Sequence, residues 1–212
     1  MPLYASPLAG TLLVVVSYLI GSIPFGLIVA RMSGRGVDLR KVGSGNIGAT
    51  NVARTLGKGA GALTLLLDAG KAVFALMLTG LLMGASSHGW LALAGGAAFL
   101  GHVFPVYLRF RGGKGVATAL GIVAYLSPVT VLVLLALFAA VVYFTRYISL
   151  GSLCAAVGLP VMMAVLEGPR SYLNLALLIA FVVFYTHREN IHRLLAGEEP
   201  RFGMPRKEKD TA

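Results

Sequence analysis

The amino-acid sequence predicts an all-α integral membrane protein of seven transmembrane helices, with its N-terminus outside and its C-terminus cytoplasmic. Three observations predict it. Hydrophobic residues make up 57% of the 212 residues and charged ones only 12%, too few to clothe a soluble domain, and mean hydropathy is +0.83. The apolar residues come in long uninterrupted runs, the pattern of helices whose solvent is lipid, rather than in alternation or a 3.6-residue stripe. The basic residues fall almost wholly on one side of the resulting spans.

The runs lie at about 8–32, 59–84, 88–107, 113–126, 128–147, 149–167 and 171–187. Most suit the ~20 residues that cross a bilayer at about 1.5 Å rise per residue. The first, from Leu8 to Met32, has no Lys or Arg before it and exceeds a signal-peptide core, so it reads as a retained helix. The fourth is the weak member: it reaches only roughly 21 Å and needs bilayer thinning or help from neighbours. Ser127-Pro128, a turn signal, separates it from the fifth.

Seven crossings place Arg31, Arg35, Arg40, Lys41, Arg54 and Lys58 inside after the first span, then Arg109, Arg111 and Lys114 after the third and Arg146 after the fifth. Arg188, Arg193, Arg201, Arg206, Lys207 and Lys209 follow the seventh. Of the 18 basic residues, only Arg170 lies outside and Lys71 within a span. Fusing the fourth and fifth runs would carry the last group to the other face. Residues 1–197 thus form a single transmembrane domain and 198–212 a polar cytoplasmic tail. The net charge of +10 is met by orientation signals and anionic headgroups; it calls for no nucleic acid and favours anionic substrates. The absence of an internal repeat gives no support to an inverted-repeat transporter.

Three polar stretches share the inner surface. In the first, Gly43-Ser44-Gly45-Asn46-Ile47-Gly48-Ala49-Thr50-Asn51-Val52-Ala53-Arg54, the glycines match a dinucleotide fingerprint only formally, since no βαβ unit surrounds them. Two readings stand: a backbone nest for phosphate, with hydroxyls from Ser44 and Thr50 and a guanidinium from Arg54, or a loop capping a short interfacial helix. The second, Arg109-Phe110-Arg111-Gly112-Gly113-Lys114-Gly115, lacks the Walker spacing. It is either a close approach to phosphate with Lys114 as point charge or a basic orienting turn. In the third, Thr186-His187-Arg188-Glu189-Asn190-Ile191-His192, His187 and Asn190 at i, i+3 share a helix face. They suit handling of a substrate hydroxyl and its proton, or a solvated helix end that complements the dipole. Glu189 and His192 point elsewhere.

Asp68 and Lys71, three residues apart inside a span, are either functional ions or each other's partner. His102 reads as a packed or hydrogen-bonded helix residue, Ser149 and Ser152 as caps of the sixth helix, and Met162-Met163 as filler. The single Cys154 lies in an apolar run and reads as a small buried residue. No His, Cys and carboxylate cluster has metal-ligand spacing, no Gly-x-Ser-x-Gly elbow occurs, and no His is followed four residues later by Asp.

The stretches Gly43–Arg54, Gly101-His102-Val103-Phe104-Pro105 through Gly112-Gly113-Lys114-Gly115-Val116-Ala117-Thr118, and His187-Arg188-Glu189-Asn190-Ile191 resemble the three motifs of bacterial acyl-phosphate:glycerol-3-phosphate acyltransferases, the PlsY family. Asp68-x-x-Lys71 and Ser149-Leu150-Gly151-Ser152 resemble its intervening segments, and the similarity runs from about Ser17 to Ile191. The resemblance implies transfer of a fatty acyl group from acyl phosphate to the 1-hydroxyl of glycerol 3-phosphate, giving lysophosphatidic acid and phosphate, the first step of bacterial phospholipid synthesis. It implies seven helices in the bacterial inner membrane, a site at the cytoplasmic face, no cofactor or metal, and no need of CoA or acyl carrier protein. Ser44 and Arg54 would bind phosphate, joined by Gly45, Asn46, Thr50 and Lys114. His187 and Asn190 would hold or activate the acceptor glycerol, and Ser152 would touch it. The rival is a transporter or channel for an anionic phosphate ester, whose polar path would use Asp68, Lys71 and His102. A structural helix-bundle partner is a weaker third, because it needs no such loops.

Overall fold

The computed structural model describes residues 6–166 and 168–203; Arg206, Lys207 and Lys209 of the tail lie outside them. Among the described residues the chain is helical, with no strand. The helices are α1 (Pro7–Gly21), α2 (Phe25–Met32), α3 (Ala49–Leu56), α4 (Lys58–Met83), α5 (His88–Val103), α6 (Val116–Leu126), α7 (Pro128–Thr145), α8 (Ile148–Val165), α9 (Arg170–Thr186) and α10 (Arg188–Leu195).

Among the described residues, five spans are long and apolar enough to cross a membrane: Pro7–Met32, Lys58–Met83, His88–Leu108, Pro128–Thr145 and Ile148–Val165. The bent pair α9–α10, turned by 59°, makes up to six. The chain is therefore a multi-pass helical membrane protein. Large apolar side chains such as Leu66, Leu81, Leu132 and Phe181 remain exposed around the bundle, where hydrocarbon would meet them.

Three spans depart from the sequence reading. The first run is not one helix: Pro24, which has no N–H to donate, stands between α1 and α2, and the Ile23 carbonyl beside it accepts Lys71 Nζ at 2.8 Å. The fourth is shorter than expected, its 11 helical residues rising about 16 Å. Gly112 and Gly113 are not helical because their N–H groups donate to the Val103 and His102 carbonyls, both at 3.1 Å. The last span bends at His187, so His187 and Asn190 do not ride one continuous helix, although both side chains are buried.

The main core joins α4 to α9 through Leu76, Phe99, Ile122, Leu159, Leu175 and Ile179. A second cluster of Val29, Leu39, Val52 and Leu56 fastens α2, the following loop and α3. Backbones come close where glycines stand: a Cβ on Gly21 would overlap the Ala98 carbonyl, and one on Gly101 the Tyr18 carbonyl. Small residues allow that approach in a membrane, where packing rather than hydrophobicity joins helices.

Candidate active site

The first polar stretch folds as a loop organised by Asn51, which lies in the first turn of α3 and is buried. Its Oδ1 accepts the Ser44 N–H at 3.0 Å, and the two hydrogens of its Nδ2, one of them shared, reach the carbonyls of Leu39, Val42 and Asn46 at 3.1, 3.1 and 2.8 Å. Gly45 N–H donates to the Val42 carbonyl at 3.0 Å, and Gly48 N–H to Asn46 Oδ1 at 2.7 Å. Gly43 and Gly45 take positive φ, which fits the sharp turning. These bonds alter the nest reading, because the N–H groups of Ser44, Gly45 and Gly48 already have acceptors within the loop. What the loop presents outward is side chains: Ser44, Thr50 and, on the exposed face of α3, Arg54.

The second stretch is held from beneath. Lys71 Nζ, Asp68 Oδ1 and His102 Nδ1 form a buried triad, with Nζ–Oδ1 at 2.8 Å and Nζ–Nδ1 at 3.0 Å. An ammonium only donates, so His102 Nδ1 accepts and its proton sits on Nε2. A Cβ on Gly113 would overlap that Nε2, so the loop can lie on the ring only with glycine there. Asp68 and Lys71 are thus each other's partners, and with His102 they support the loop that carries Lys114.

Lys114 and the third stretch meet directly. Lys114 Nζ donates to Asn190 Oδ1, Asn190 Nδ2 donates to Glu199 Oε1 at 2.6 Å, and Arg193 Nε donates to Glu199 Oε2 at 2.8 Å. Thr186 Oγ1 reaches the Lys114 carbonyl at 3.3 Å. His187 Nδ1 lies 2.8 Å from the Val183 carbonyl. A carbonyl only accepts, so the proton is on Nδ1 and Nε2 keeps its lone pair. Burial pushes the Lys114 ammonium down to about 8; Glu199 and Glu189 oppose this, while Arg193 and Arg54 add to it. Arg54, on α3, is the weakest of these influences on the ammonium.

Ser152 is buried on α8, but its Oγ donates to the Ile148 carbonyl at 3.0 Å, within its own helix. Neither Ser149 nor Ser152 caps α8, whose N-cap is Tyr147. Glu189 and His192 are exposed, as their spacing suggested. Glu199, Arg193 and the organising role of Asn51 were not read from the sequence. The one signal for Glu199 was a pair of acids, Glu198-Glu199, in a basic tail. Among the described residues no group of His, Cys, Asp and Glu could hold a metal ion.

The fold and site define a multi-pass helical membrane protein in which the loop before α6 meets the α9–α10 bend through Lys114 and Asn190, with His187 buried at that bend. The glycerol-3-phosphate acyltransferase family model matches residues 11–197. Relatives named glycerol-3-phosphate acyltransferase include those of Geobacter sulfurreducens, 51% identical over 90% of this chain and 96% of the relative, and Dinoroseobacter shibae, 50% identical over 90% and 92%. Crystal structures of PlsY, an integral membrane glycerol 3-phosphate acyltransferase, match in the glycerol 3-phosphate form (TM-score 0.87, 43% identity, 92% of this chain and 96% of that one). The lysophosphatidic acid form also matches (TM-score 0.85, 42% identity, the same shares). The chain belongs to the glycerol-3-phosphate acyltransferase family.

Proposed function

We propose that this chain transfers a fatty acyl group from acyl phosphate to the 1-hydroxyl of glycerol 3-phosphate, forming lysophosphatidic acid and phosphate without CoA or acyl carrier protein. The observation that carries the reading is the meeting of Lys114, Asn190 and His187, with the charge of Arg54 felt at Lys114. Both substrates carry phosphate, and two cations beside a buried imidazole suit them. Ser44, Gly45, Asn46 and Thr50, just before Arg54 in the chain, are assigned to the phosphates, and Ser152 to the acceptor.

Acyl phosphate is a mixed anhydride and needs little activation. The acceptor oxygen bonds to the acyl carbon, the bond from that carbon to the phosphate oxygen breaks, and phosphate leaves with the electron pair. His187 Nε2, free to accept, takes the hydroxyl proton and returns it to the departing phosphate. Arg54 and Lys114 neutralise the charge that grows on the leaving group, and fixed positions for two anions supply the rest of the acceleration. An apolar cleft of about 290 Å³ between the α1–α2 break and α4, lined by Ile20, Phe25, Leu66, Leu67 and Phe74, suits part of an acyl chain. It reaches Lys71, whose partner His102 underlies Gly113.

The same reading places α6 as a seventh crossing, the N-terminus outside, and the site at the cytoplasmic face of the bacterial inner membrane. The positive-inside asymmetry supports this orientation.

Purified protein given palmitoyl phosphate and labelled glycerol 3-phosphate should make lysophosphatidic acid, and His187→Ala should turn over far more slowly. Flux of the phosphate ester into sealed vesicles without product would favour a transporter instead. A His187→Ala variant with full activity would remove the imidazole as base and leave a phosphate oxygen of the substrate to take the proton.

A further inference from the structure

The segment after α10 does not hang free up to Phe202. The N–H groups of Glu198 and Glu199 donate to the Arg193 carbonyl at 2.8 and 3.1 Å, and Phe202 N–H donates to the Arg146 carbonyl at 2.7 Å. Arg201 Nε reaches Tyr147 Oη at 3.2 Å, with its guanidinium over the Tyr147 ring. These contacts fold the chain back across the α7–α8 corner and bring one carboxylate, Glu199, to Asn190, with the residue only 9% exposed.

A buried carboxylate in a basic tail calls for a reason, and its two oxygens supply one. Oε1 holds the Asn190 amide nitrogen and Oε2 holds Arg193 Nε. A primary amide has a donor end and an acceptor end. With its NH₂ on Glu199, the Asn190 oxygen must face Lys114, and Lys114 Nζ donates to it. Turned the other way, Asn190 would present NH₂ to an ammonium and lose both bonds.

We infer that Glu199 is a positioning residue for the phosphate-binding lysine: through Asn190 it fixes where the Lys114 ammonium stands, and it provides the negative charge that this ammonium faces. The inference rests on the acyl-transfer reading of the site. The groups acting on Lys114 are Glu199 from the docked segment, Glu189 and Arg193 from α10, and Arg54 from α3. The buried His187 imidazole at the α9–α10 junction also faces it. Glu199 leads those that favour the charged form, and Arg193 leads the cations that oppose it. Glu199 itself stays ionised: burial pushes its carboxyl up, but Ser149, Asn190 and Arg193 beside it outweigh that and hold it below the usual carboxylate range.

The test is the pH dependence of kcat/KM for glycerol 3-phosphate in full-length wild type, Glu199→Gln, Glu199→Asp and Arg193→Gln, using palmitoyl phosphate as donor. In Glu199→Gln the alkaline limb should move down by at least about half a pH unit, roughly threefold in proton affinity. KM should be unchanged or lower at pH about 6 and at least about threefold higher at pH about 9, because a repelling carboxylate is gone while the lysine loses its proton sooner. Glu199→Asp should restore the limb. Arg193→Gln should move it up, and this opposite sign serves if the Gln variant at 199 does not fold. A KM raised equally at every pH with the limb unmoved, or variants indistinguishable from wild type, would overturn the inference alone. A wild type that makes no lysophosphatidic acid would overturn the reading beneath it, and the inference with it.

Discussion

Two lysines in this molecule sit in opposite circumstances. Lys71 is buried inside α4; its ammonium donates to His102 Nδ1 and the Ile23 carbonyl at 3.0 and 2.8 Å and forms an ion pair with Asp68 Oδ1 at 2.8 Å. Two of the three ammonium hydrogens thus have acceptors in the protein, and the ion pair meets the charge. Its charge is matched by a carboxylate three residues away. Lys114 is only partly buried, has Asn190 Oδ1 as its side-chain acceptor, and shares its surroundings with Arg193 and Arg54. The first lysine is complete within the protein; the second keeps donors for something else. An ionisable residue in a membrane protein is a functional candidate by default, and here partner count separates Lys71 from Lys114, the lysine proposed to meet substrate.

The sharpest way to break this contrast is to strip Lys71 of its role. Lys71→Met strands the Asp68 carboxylate in the bundle, which costs about 3–5 kcal/mol when one partner of a buried pair is removed. A detergent melt should show a large drop in thermal midpoint, and Asp68→Asn/Lys71→Met together should recover most of it. Recovery would mark the pair as structural; a fully stable but inactive Lys71→Met would move it into the chemistry. Lys114→Met should do the reverse, with little change in melting and a fall in kcat/KM for glycerol 3-phosphate of about 100-fold, the scale of losing one charge-stabilising donor.

A smaller effect should come from pH. Burial lowers Lys114 to about 8, so its cation is fully present below that value and lost as pH rises through it. In wild type kcat/KM should fall about tenfold per pH unit above the midpoint, and the Lys114→Met variant should lose that limb. The smallest belongs to Asp38 and Arg40, joined at 2.9 Å in the loop before α3, where the Arg40 side chain is 60% exposed. Solvent screens such a pair. Asp38→Asn should leave melting and turnover unchanged, and a measurable loss would mean the loop's charges reach the site.

The spans were legible because lipid leaves the chain little choice: long apolar runs must be helices that satisfy their own backbones. Their interruptions were less so. Pro24 lies inside an unbroken apolar run, and only the nearby Lys71 shows that the Ile23 carbonyl is used. The fourth run lost its first residues because Gly112 and Gly113 bond to carbonyls at the end of α5, a contact that spacing alone does not reveal.

At the site, the His187–Asn190 spacing found two residues that face inward, although the bend between α9 and α10 was invisible. The glycine stretch was legible as a loop, either a nest or a cap to a short helix, but not the use Asn51 makes of the Ser44 N–H and of three loop carbonyls. Glu199 could not be read at all. A pair of acids in a polar tail is ordinary, and the burial of one of them depends on the α7–α8 corner, which lies about fifty residues back in the chain.

The central claim is that α3, the loop before α6 and the α9–α10 bend serve one anion site. A double-mutant cycle of Arg54→Ala and Lys114→Met, read as kcat/KM for glycerol 3-phosphate, tests it most directly. The account predicts that the two losses do not add, with an interaction of at least about 0.5 kcal/mol, because both cations act on the same phosphates. Losses that sum as independent sites would place Arg54 and Lys114 in separate sites and contradict it.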